Sequence, residues 1–134
     1  MEIRNISYEL TWKLRHSVMW PNKNVEYVKL PNDKEGFHFG LFVDDRMISV
    51  ISLFKTDDSA QFRKFATLNS EQGKGYGSKL LNYVLLQLDN SETVKVWCNA
   101  RVDKTHFYKR FGMYQTENKF EKGGENYVIM EKFI

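Results

Sequence analysis

The sequence has little cysteine and no long hydrophobic run. A single cysteine among 134 residues excludes an internal disulfide framework and favours a reducing, cytoplasmic setting. That cysteine and three scattered histidines give no metal-ligand spacing, so no metal site is expected. No apolar stretch approaches the length of a membrane span. Residues 1–6 carry charge and lack the apolar core of a signal peptide, so no membrane partner is expected.

Length and composition predict one soluble globular domain over residues 1–134. Hydrophobic residues make up 42% and charged residues 28%, which is ordinary for such a domain. The net charge of +3 implies a mild attraction to anions. No aromatic-basic motif or basic-faced helix stands out, so nucleic acid is not the expected partner. A nucleic-acid-binding domain stays open as an alternative, which a steep salt dependence of binding would reveal.

Hydrophobic periodicity predicts strands and helices in alternation. A helix beginning after Ser7 as its N-cap is expected to bury Leu10, Leu14 and Val18 on one face. Strands are expected at residues 2–5, 37–43, 47–54, 62–68, 94–98, 113–121 and 126–133, the last two as a hairpin.

A glycine-rich stretch, Gln72 to Gly77, lies between a strand and an amphipathic helix that carries leucines and a valine at helical spacing. In the preceding strand, the alternation places Phe62 and Ala66 on one face. Glycines let the backbone approach a ligand closely. The N-terminus of the helix then offers unpaired N–H groups and a positive dipole end to an anion. This stretch therefore predicts a phosphate-binding loop, called the cradle below.

Other glycine motifs fit the cradle less well. No Gly-Lys-Ser/Thr follows four residues after a glycine, so it is not a Walker A loop. The third glycine, Gly77, falls one residue too early for the dinucleotide fingerprint. A helix entry whose glycines serve only packing remains the structural alternative.

Two motifs resemble a known family. Gln72, Gly75 and Gly77 match the Gln/Arg-x-x-Gly-x-Gly pattern that binds the acyl-CoA pyrophosphate in the GNAT superfamily of N-acetyltransferases. Residues 98–113 resemble the family's Ala-Arg…Phe-Tyr-x-x-x-Gly-Phe segment, with Met113 in place of the usual Phe and Lys104 where a small residue is usual. The resemblance is to small single-domain bacterial members. It implies an α/β fold with a mixed, mostly antiparallel central sheet, flanking helices and a C-terminal β-hairpin.

The resemblance also implies an acetyl-CoA-dependent enzyme in which an amine attacks the thioester directly within a ternary complex. The acceptor is expected to be a small-molecule or protein amine, and a homodimer is compatible with the family. A catalytically silent acyl-CoA sensor is the alternative that would use the same cradle. The expected coenzyme-binding residues are Phe65, Ala66, Thr67, Gln72, Gly73, Lys74, Gly75, Tyr76, Gly77, Ser78, Asn99, Arg101 and Lys104.

Within that set, Phe65 to Thr67 would pair their backbone with the pantetheine arm and offer an N–H to the thioester oxygen. Asn99, expected just past a strand end, would bond the pantetheine amide or serve as a turn residue. Arg101 would bind a phosphate or a carboxylate.

The resemblance implies that Tyr108 is the general acid, because the family places its acid at the Tyr of the Phe-Tyr-x-x-x-Gly segment. A phenol with a pKa of about 10 stays protonated at neutral pH and can donate to the departing thiolate. From the residue alone, a buried aromatic is the alternative. Cys98 ends an apolar strand and is expected to be a buried small hydrophobe rather than a nucleophile.

The acceptor side is less defined by the sequence. Arg15, Trp20 and His38 are candidates for lining it. His38 has a suitable intrinsic pKa for a base, but a satisfied core histidine fits its strand position better. A water relay is the alternative, and the general base is left open.

Overall fold

The computed structural model describes residues 1–89 and 91–134. Its strands are β1 (Glu2–Ile6), β2 (Phe37–Val43), β3 (Arg46–Thr56), β4 (Ser59–Thr67), β5 (Lys95–Arg101), β6 (Tyr114–Lys122) and β7 (Glu125–Phe133). Its helices are α1 (Glu9–Met19), α2 (Tyr76–Asp89) and α3 (Thr105–Lys109). Short 3₁₀ turns lie at Val25–Val28, Asp33–Glu35, Asn69–Glu71 and Val102–Lys104.

In the described part of the chain, seven strands form one sheet in the order β1-β2-β3-β4-β5-β7-β6. Neighbouring strands are antiparallel, except that β4 and β5 run parallel. The β6–β7 pair turns at two glycines of positive φ, Gly123 (60°) and Gly124 (81°). The prediction of a mixed, mostly antiparallel sheet with a C-terminal hairpin is confirmed.

The parallel pair separates along its length. β4 and β5 are paired from Ser59 to Gln61 and from Lys95 to Trp97. β4 then runs on to Thr67 and β5 to Arg101 without pairing to each other within the described residues. We call the opening between residues 62–67 of β4 and residues 98–101 of β5 the wedge. Its two strand edges leave backbone groups available to an extended ligand.

The core lies mainly between α2 and one face of the sheet. The five apolar residues that recur at helical spacing on α2 are all buried, and they are Leu80, Leu81, Val84, Leu85 and Leu88. Each fully buried leucine stabilises the fold by about 1.5–3 kcal/mol relative to an exposed one. No helix within residues 1–89 or 91–134 is long and apolar enough to cross a membrane.

Helix α1 covers the opposite face of the sheet, in a register that differs from the prediction. Its N-cap is Tyr8, no side chain caps it, and Leu10 is 54% exposed, so the expected Ser7 cap and Leu10 contact are wrong. The buried residues are Thr11, Leu14 and Arg15. The hydrophobic pattern misplaced this face because a charged side chain, Arg15, occupies its centre.

A bulge interrupts β4. Val50 of β3 lies opposite Ala66, and Ser52 lies opposite Arg63, so one residue of β3 faces two residues of β4. Lys64 lies in this bulge with φ of +54°. A non-glycine residue in that region carries a strain of about 1–3 kcal/mol, and bulges are common beside functional sites.

The bulge overturns the simple alternation expected in this strand. Phe62 packs on the α2 side, where its ring centroid is 6.5 Å from that of Phe65. Ala66 packs with Leu14 of α1 on the other side. Phe62 and Ala66 therefore lie on opposite faces, because the extra residue reverses the order of faces along the strand.

Candidate active site

The cradle forms at the entry to α2, at the end of the wedge where β4 finishes. Gly73 and Gly75 have φ of +79° and +85°, and a Cβ built on either meets no atom within 4 Å. Glycine is needed here for the backbone conformation, and the space in front of both residues is open. The first N–H groups of α2 have no partner within the helix, so they are available to an anion.

Gly77 has a different role from the other two glycines. A Cβ at this position would lie 3.4 Å from Cζ of Phe65 and 3.5 Å from Oγ1 of Thr67. The first turn of α2 thus packs closely against the last residues of β4. This contact holds the cradle beside the wedge.

Two polar side chains of the cradle, those of Gln72 and Lys74, interact with other residues of the protein. The Gln72 side-chain amide donates to the backbone oxygen of Thr67 at 3.0 Å and to Oδ1 of Asn69 at 3.1 Å. Lys74 forms an exposed ion pair with Glu71 at 2.7 Å. Gln72 therefore ties the loop to the end of β4, while the Lys74 ammonium stays at the surface.

Tyr108 lies on α3, beside the wedge. Its half-buried ring packs against Phe62 at a centroid distance of 5.7 Å and against Phe107 at 5.2 Å. Burial raises the pKa of the phenol above its usual value, and the nearby Cys98 adds to the rise. Among the described residues its hydroxyl has no hydrogen-bond partner. Tyr108 thus keeps its proton and has it available for donation.

Asn99, Arg101 and Lys104, in β5 and just after it, are exposed. Asn99 lies inside β5, opposite Ile129 of β7, so the expectation that it follows the strand end is wrong: pairing with β7 extends the strand to Arg101. Arg101 pairs with Glu125 at 2.8 Å at the surface. Lys104 is exposed at the start of α3.

Arg15 lies inside the protein, contrary to the expectation that it lines an open acceptor pocket. It is 0% exposed and donates to both carboxylate oxygens of Asp33, at 2.9 and 3.0 Å. It also donates to the backbone oxygen of Val28 at 3.0 Å and to Oγ of Ser52 at 2.9 Å. These bonds use the guanidinium to join α1 to β3 and to the segment before β2.

His38 belongs to the same buried network. Its Nε2 donates to the backbone oxygen of Asp33 at 2.7 Å, and Oγ of Ser52 lies 2.7 Å from its Nδ1. His38 is 5% exposed and both of its ring nitrogens have partners, so no group of its side chain is left to bind an acceptor amine. His38 is the satisfied core histidine that its strand position favoured, and not a lining residue.

Trp20, in contrast, is half-buried at the end of α1. Its ring pairs with Tyr27 at a centroid distance of 5.0 Å. Its Cη2 would lie 3.4 Å from a Cβ built on Gly123, in the β6–β7 turn. The end of α1 thus reaches the C-terminal hairpin over the α1 side of the sheet.

A cavity of about 370 Å³ lies at the closed end of the wedge. Gln61 and Trp97, the last residues paired between β4 and β5, form part of its wall together with Phe54. Two aspartates of the β3–β4 turn, Asp57 and Asp58, also line it.

Arg63 and Lys64 were not among the candidate site residues predicted from the sequence. Both are half-buried in β4, at the bulge, on the strand that borders the wedge. The available signal was the occurrence of two consecutive cations inside an otherwise apolar strand. A strand with one exposed face accommodates one of them at the surface, but not both by simple alternation.

Comparisons with known proteins agree with this geometry. The chain matches the family model described as the acetyltransferase (GNAT) domain over residues 8–134. It is 32% identical over 144 residues to YitI of Bacillus subtilis (strain 168), an uncharacterized N-acetyltransferase, with 100% of this chain and 97% of that protein covered.

Solved structures share the fold. Escherichia coli ElaA superposes with a TM-score of 0.83 at 17% identity, covering 98% of each chain. A GNAT family acetyltransferase from Elizabethkingia anophelis with acetyl-CoA bound superposes with a TM-score of 0.75 at 16% identity, covering 99% of this chain and 97% of that one. At these identities the likeness shows the fold alone.

Proposed function

The chain belongs to the GNAT family of acetyltransferases, and on that premise we propose that it moves the acetyl group of acetyl-CoA to a small-molecule amine by direct attack within a ternary complex. The observation that carries the proposal is the wedge with the cradle at its open end. β4 and β5 stop pairing after Gln61 and Trp97, and Gly77 packs against the end of β4. An extended donor arm therefore fits along β4 with its pyrophosphate at the N-terminus of α2.

The residues present fit that donor. Gly73 and Gly75 leave open space in front of the backbone, and the N–H groups that begin α2 are unpaired donors at the positive end of a helix dipole. The acetyl-CoA structure of the Elizabethkingia anophelis family member supports the choice of donor. Acetyl-CoA supplies a thioester that an amine can attack.

Two groups of the chain would then promote the transfer. The backbone of Phe65 to Thr67, on the wedge side of β4, would hold the pantetheine arm and donate an N–H toward the thioester oxygen. A donor aimed where negative charge develops contributes about 10²–10³ in rate. Tyr108, beside the wedge with its proton retained, would donate to the departing sulfur.

Direct attack is favoured over a covalent enzyme intermediate by the state of Cys98. Burial raises the pKa of its thiol to about 12, so it is not a thiolate at neutral pH. A thiol needs to be a thiolate to act as a nucleophile. The amine therefore attacks the thioester itself.

Calorimetric titration with acetyl-CoA, with CoA and ATP as controls, tests the donor site. We expect micromolar binding of acetyl-CoA and much weaker binding of ATP. A panel of amines assayed for thiol release then tests turnover. Binding without thiol release from any amine would support a silent sensor instead, and the absence of CoA binding would overturn the cradle assignment.

A further inference from the structure

Arg63 brings a cation to the α1 side of the wedge, and Lys64, the next residue of β4, adds a second cation beside it. Arg63 lies opposite Ser52 in the β3–β4 register, and residues opposite each other on antiparallel strands share a face. The Ser52 hydroxyl bonds to the buried Arg15 of α1, so Arg63 also faces α1. Lys64 follows in the bulge, where its φ of +54° departs from strand geometry. This strained residue lies in the part of β4 that borders the wedge.

Neither cation has an acidic partner. Within residues 1–89 and 91–134, no ion pair includes Arg63 or Lys64. The nearby acid, Asp33, is already engaged by Arg15, and it also accepts from the side chain of Trp12 and the backbone N–H of Leu30. Half-buried cations without a counter-ion are costly, since burial penalises charge that nothing compensates.

The pKa shifts of Arg63 and Lys64 also indicate that positive charge is uncompensated in this region. Burial, and then the charge of Arg15, lower the pKa of Arg63. Burial also lowers the pKa of Lys64 to about 8, and after burial the main causes are the positive charges of Arg63, Arg15 and Lys122. Lys122 adjoins the β6–β7 turn that Trp20 reaches. The α1 side of the wedge is therefore a region of positive potential.

The phosphates of the donor do not account for these cations. The proposed pyrophosphate site is the cradle, which packs against Thr67 at the opposite end of the wedge. Arg63 precedes Thr67 by four residues, on the order of 13 Å along a strand. An anion at Arg63 and Lys64 must belong to another molecule.

We propose that the acceptor amine carries a carboxylate, which Arg63 and Lys64 bind on the α1 side of the wedge. The inference rests on the proposed acetyl transfer and names its substrate class. A guanidinium binds a carboxylate through two parallel N–H···O bonds, and an adjacent ammonium adds a third donor. An amine one or two carbons from that carboxylate would lie beside the bulge, close to Phe65 to Thr67. Purely cationic acceptors are repelled by the same groups.

Matched pairs of acceptors test the carboxylate directly. Phenylalanine against phenethylamine, tyrosine against tyramine, and leucine against 3-methylbutylamine differ only in that group. We expect at least one amino acid to be acetylated with a kcat/KM ten or more times that of its decarboxylated partner. Faster transfer to the decarboxylated amine in every pair would overturn the inference.

Variants assign the effect to the two residues. Arg63→Gln and Lys64→Met are each expected to raise KM for the amino acid about tenfold or more, to reduce the preference within the pair, and to leave acetyl-CoA affinity unchanged. Arg63→Lys should restore part of the preference. Arg4→Gln is the matched control, since Arg4 lies on the edge strand β1, away from the wedge, with a 40% exposed side chain. An unchanged preference in Arg63→Gln would contradict the assignment.

A binding experiment separates this inference from the proposed function. Saturation-transfer NMR with N-acetylphenylalanine and N-acetylphenethylamine, in the presence of CoA, needs no turnover. If no amine releases thiol, the acetyl transfer fails, but preferential binding of N-acetylphenylalanine that is lost in Arg63→Gln would still support a carboxylate site. Equal signals from both compounds would reject it.

Discussion

The guanidinium of Arg15 holds the carboxylate of Asp33 through two hydrogen bonds, at 2.9 and 3.0 Å, and both side chains are buried. Arg15 belongs to α1, and Asp33 belongs to the segment that leads into β2. Ser52 of β3 joins the pair through a 2.9 Å bond from Arg15. This network fixes α1 against one face of the sheet and, through Ser52, places the cation of Arg15 next to Arg63.

Asp33→Ala should destabilise the protein by about 3–5 kcal/mol, because it leaves the buried Arg15 charge without a partner. Urea unfolding followed by circular dichroism measures this loss. Glu26→Ala is the control, since Glu26 pairs with Lys29 at the surface with its side chain 70% exposed, and a screened surface pair contributes far less than a buried one. Similar losses in the two variants would contradict the role of the buried pair.

The same pair makes stability depend on pH. Burial acts to raise the pKa of Asp33, but hydrogen bonds from Arg15, Leu30 and Trp12 outweigh it and hold that pKa below its usual range. A depressed carboxyl pKa contributes stability that is present above the unfolded value of about 3.9 and is lost as the pH falls through the folded value.

The difference in unfolding free energy between the wild type and Asp33→Asn should therefore be greatest above about pH 5 and shrink toward pH 2. Urea unfolding at a series of pH values measures it. Parallel stability curves across that range would show that Asp33 does not titrate with folding.

The fold followed from the sequence wherever one hydrophobic face recurs without interruption. The α2 pattern from Leu80 to Leu88 is buried as predicted. The prediction of the buried face of α1 was wrong because Arg15 lies at the centre of that face. Its charge is compensated by partners distant in sequence. Pattern reading assigns charges to solvent, so it shifted the face to Leu10, which is 54% exposed.

The candidate site was predictable to the extent that local backbone chemistry defines it. Positive φ at Gly73 and Gly75 follows from the glycines themselves. The bulge at Lys64 does not, because a β-bulge depends on the partner strand and no glycine marks this one. Without the bulge, strict alternation places Arg63 and Lys64 on opposite faces of the strand, so the sequence alone does not suggest the carboxylate site proposed above.

Gly75→Val should weaken acetyl-CoA binding at least tenfold, since a branched side chain at φ of +85° distorts the cradle and occupies the open space in front of it. Calorimetry measures the affinity. Gly124→Val is the matched control: Gly124 has φ of +81° and open surroundings too, but lies in the β6–β7 turn. Both variants should lose about 1–2 kcal/mol of stability to the strained backbone, and only Gly75→Val should lose affinity.

Cys98→Ala should keep the wild-type kcat within about twofold. The thiol has a pKa raised by burial to about 12, so it supplies no nucleophile at neutral pH. In the wild type, mass spectrometry after mixing with acetyl-CoA should find no acetyl group on Cys98. An acetylated Cys98 together with an inactive Cys98→Ala would replace direct attack by a two-step transfer.

Tyr108→Phe should lower kcat by about 10²–10⁴ and leave acetyl-CoA affinity unchanged, because it removes the proton donor but keeps the ring against Phe62 and Phe107. Tyr114→Phe is the control, since Tyr114 is an exposed residue of β6 whose hydroxyl donates to Glu131 of β7. The raised pKa of Tyr108 adds a second criterion: the phenol stays protonated up to at least pH 10, so its ionisation produces no loss of kcat between pH 7 and 10. A variant that loses affinity and kcat together would make Tyr108 a packing residue. A variant that loses kcat alone identifies it as the acid.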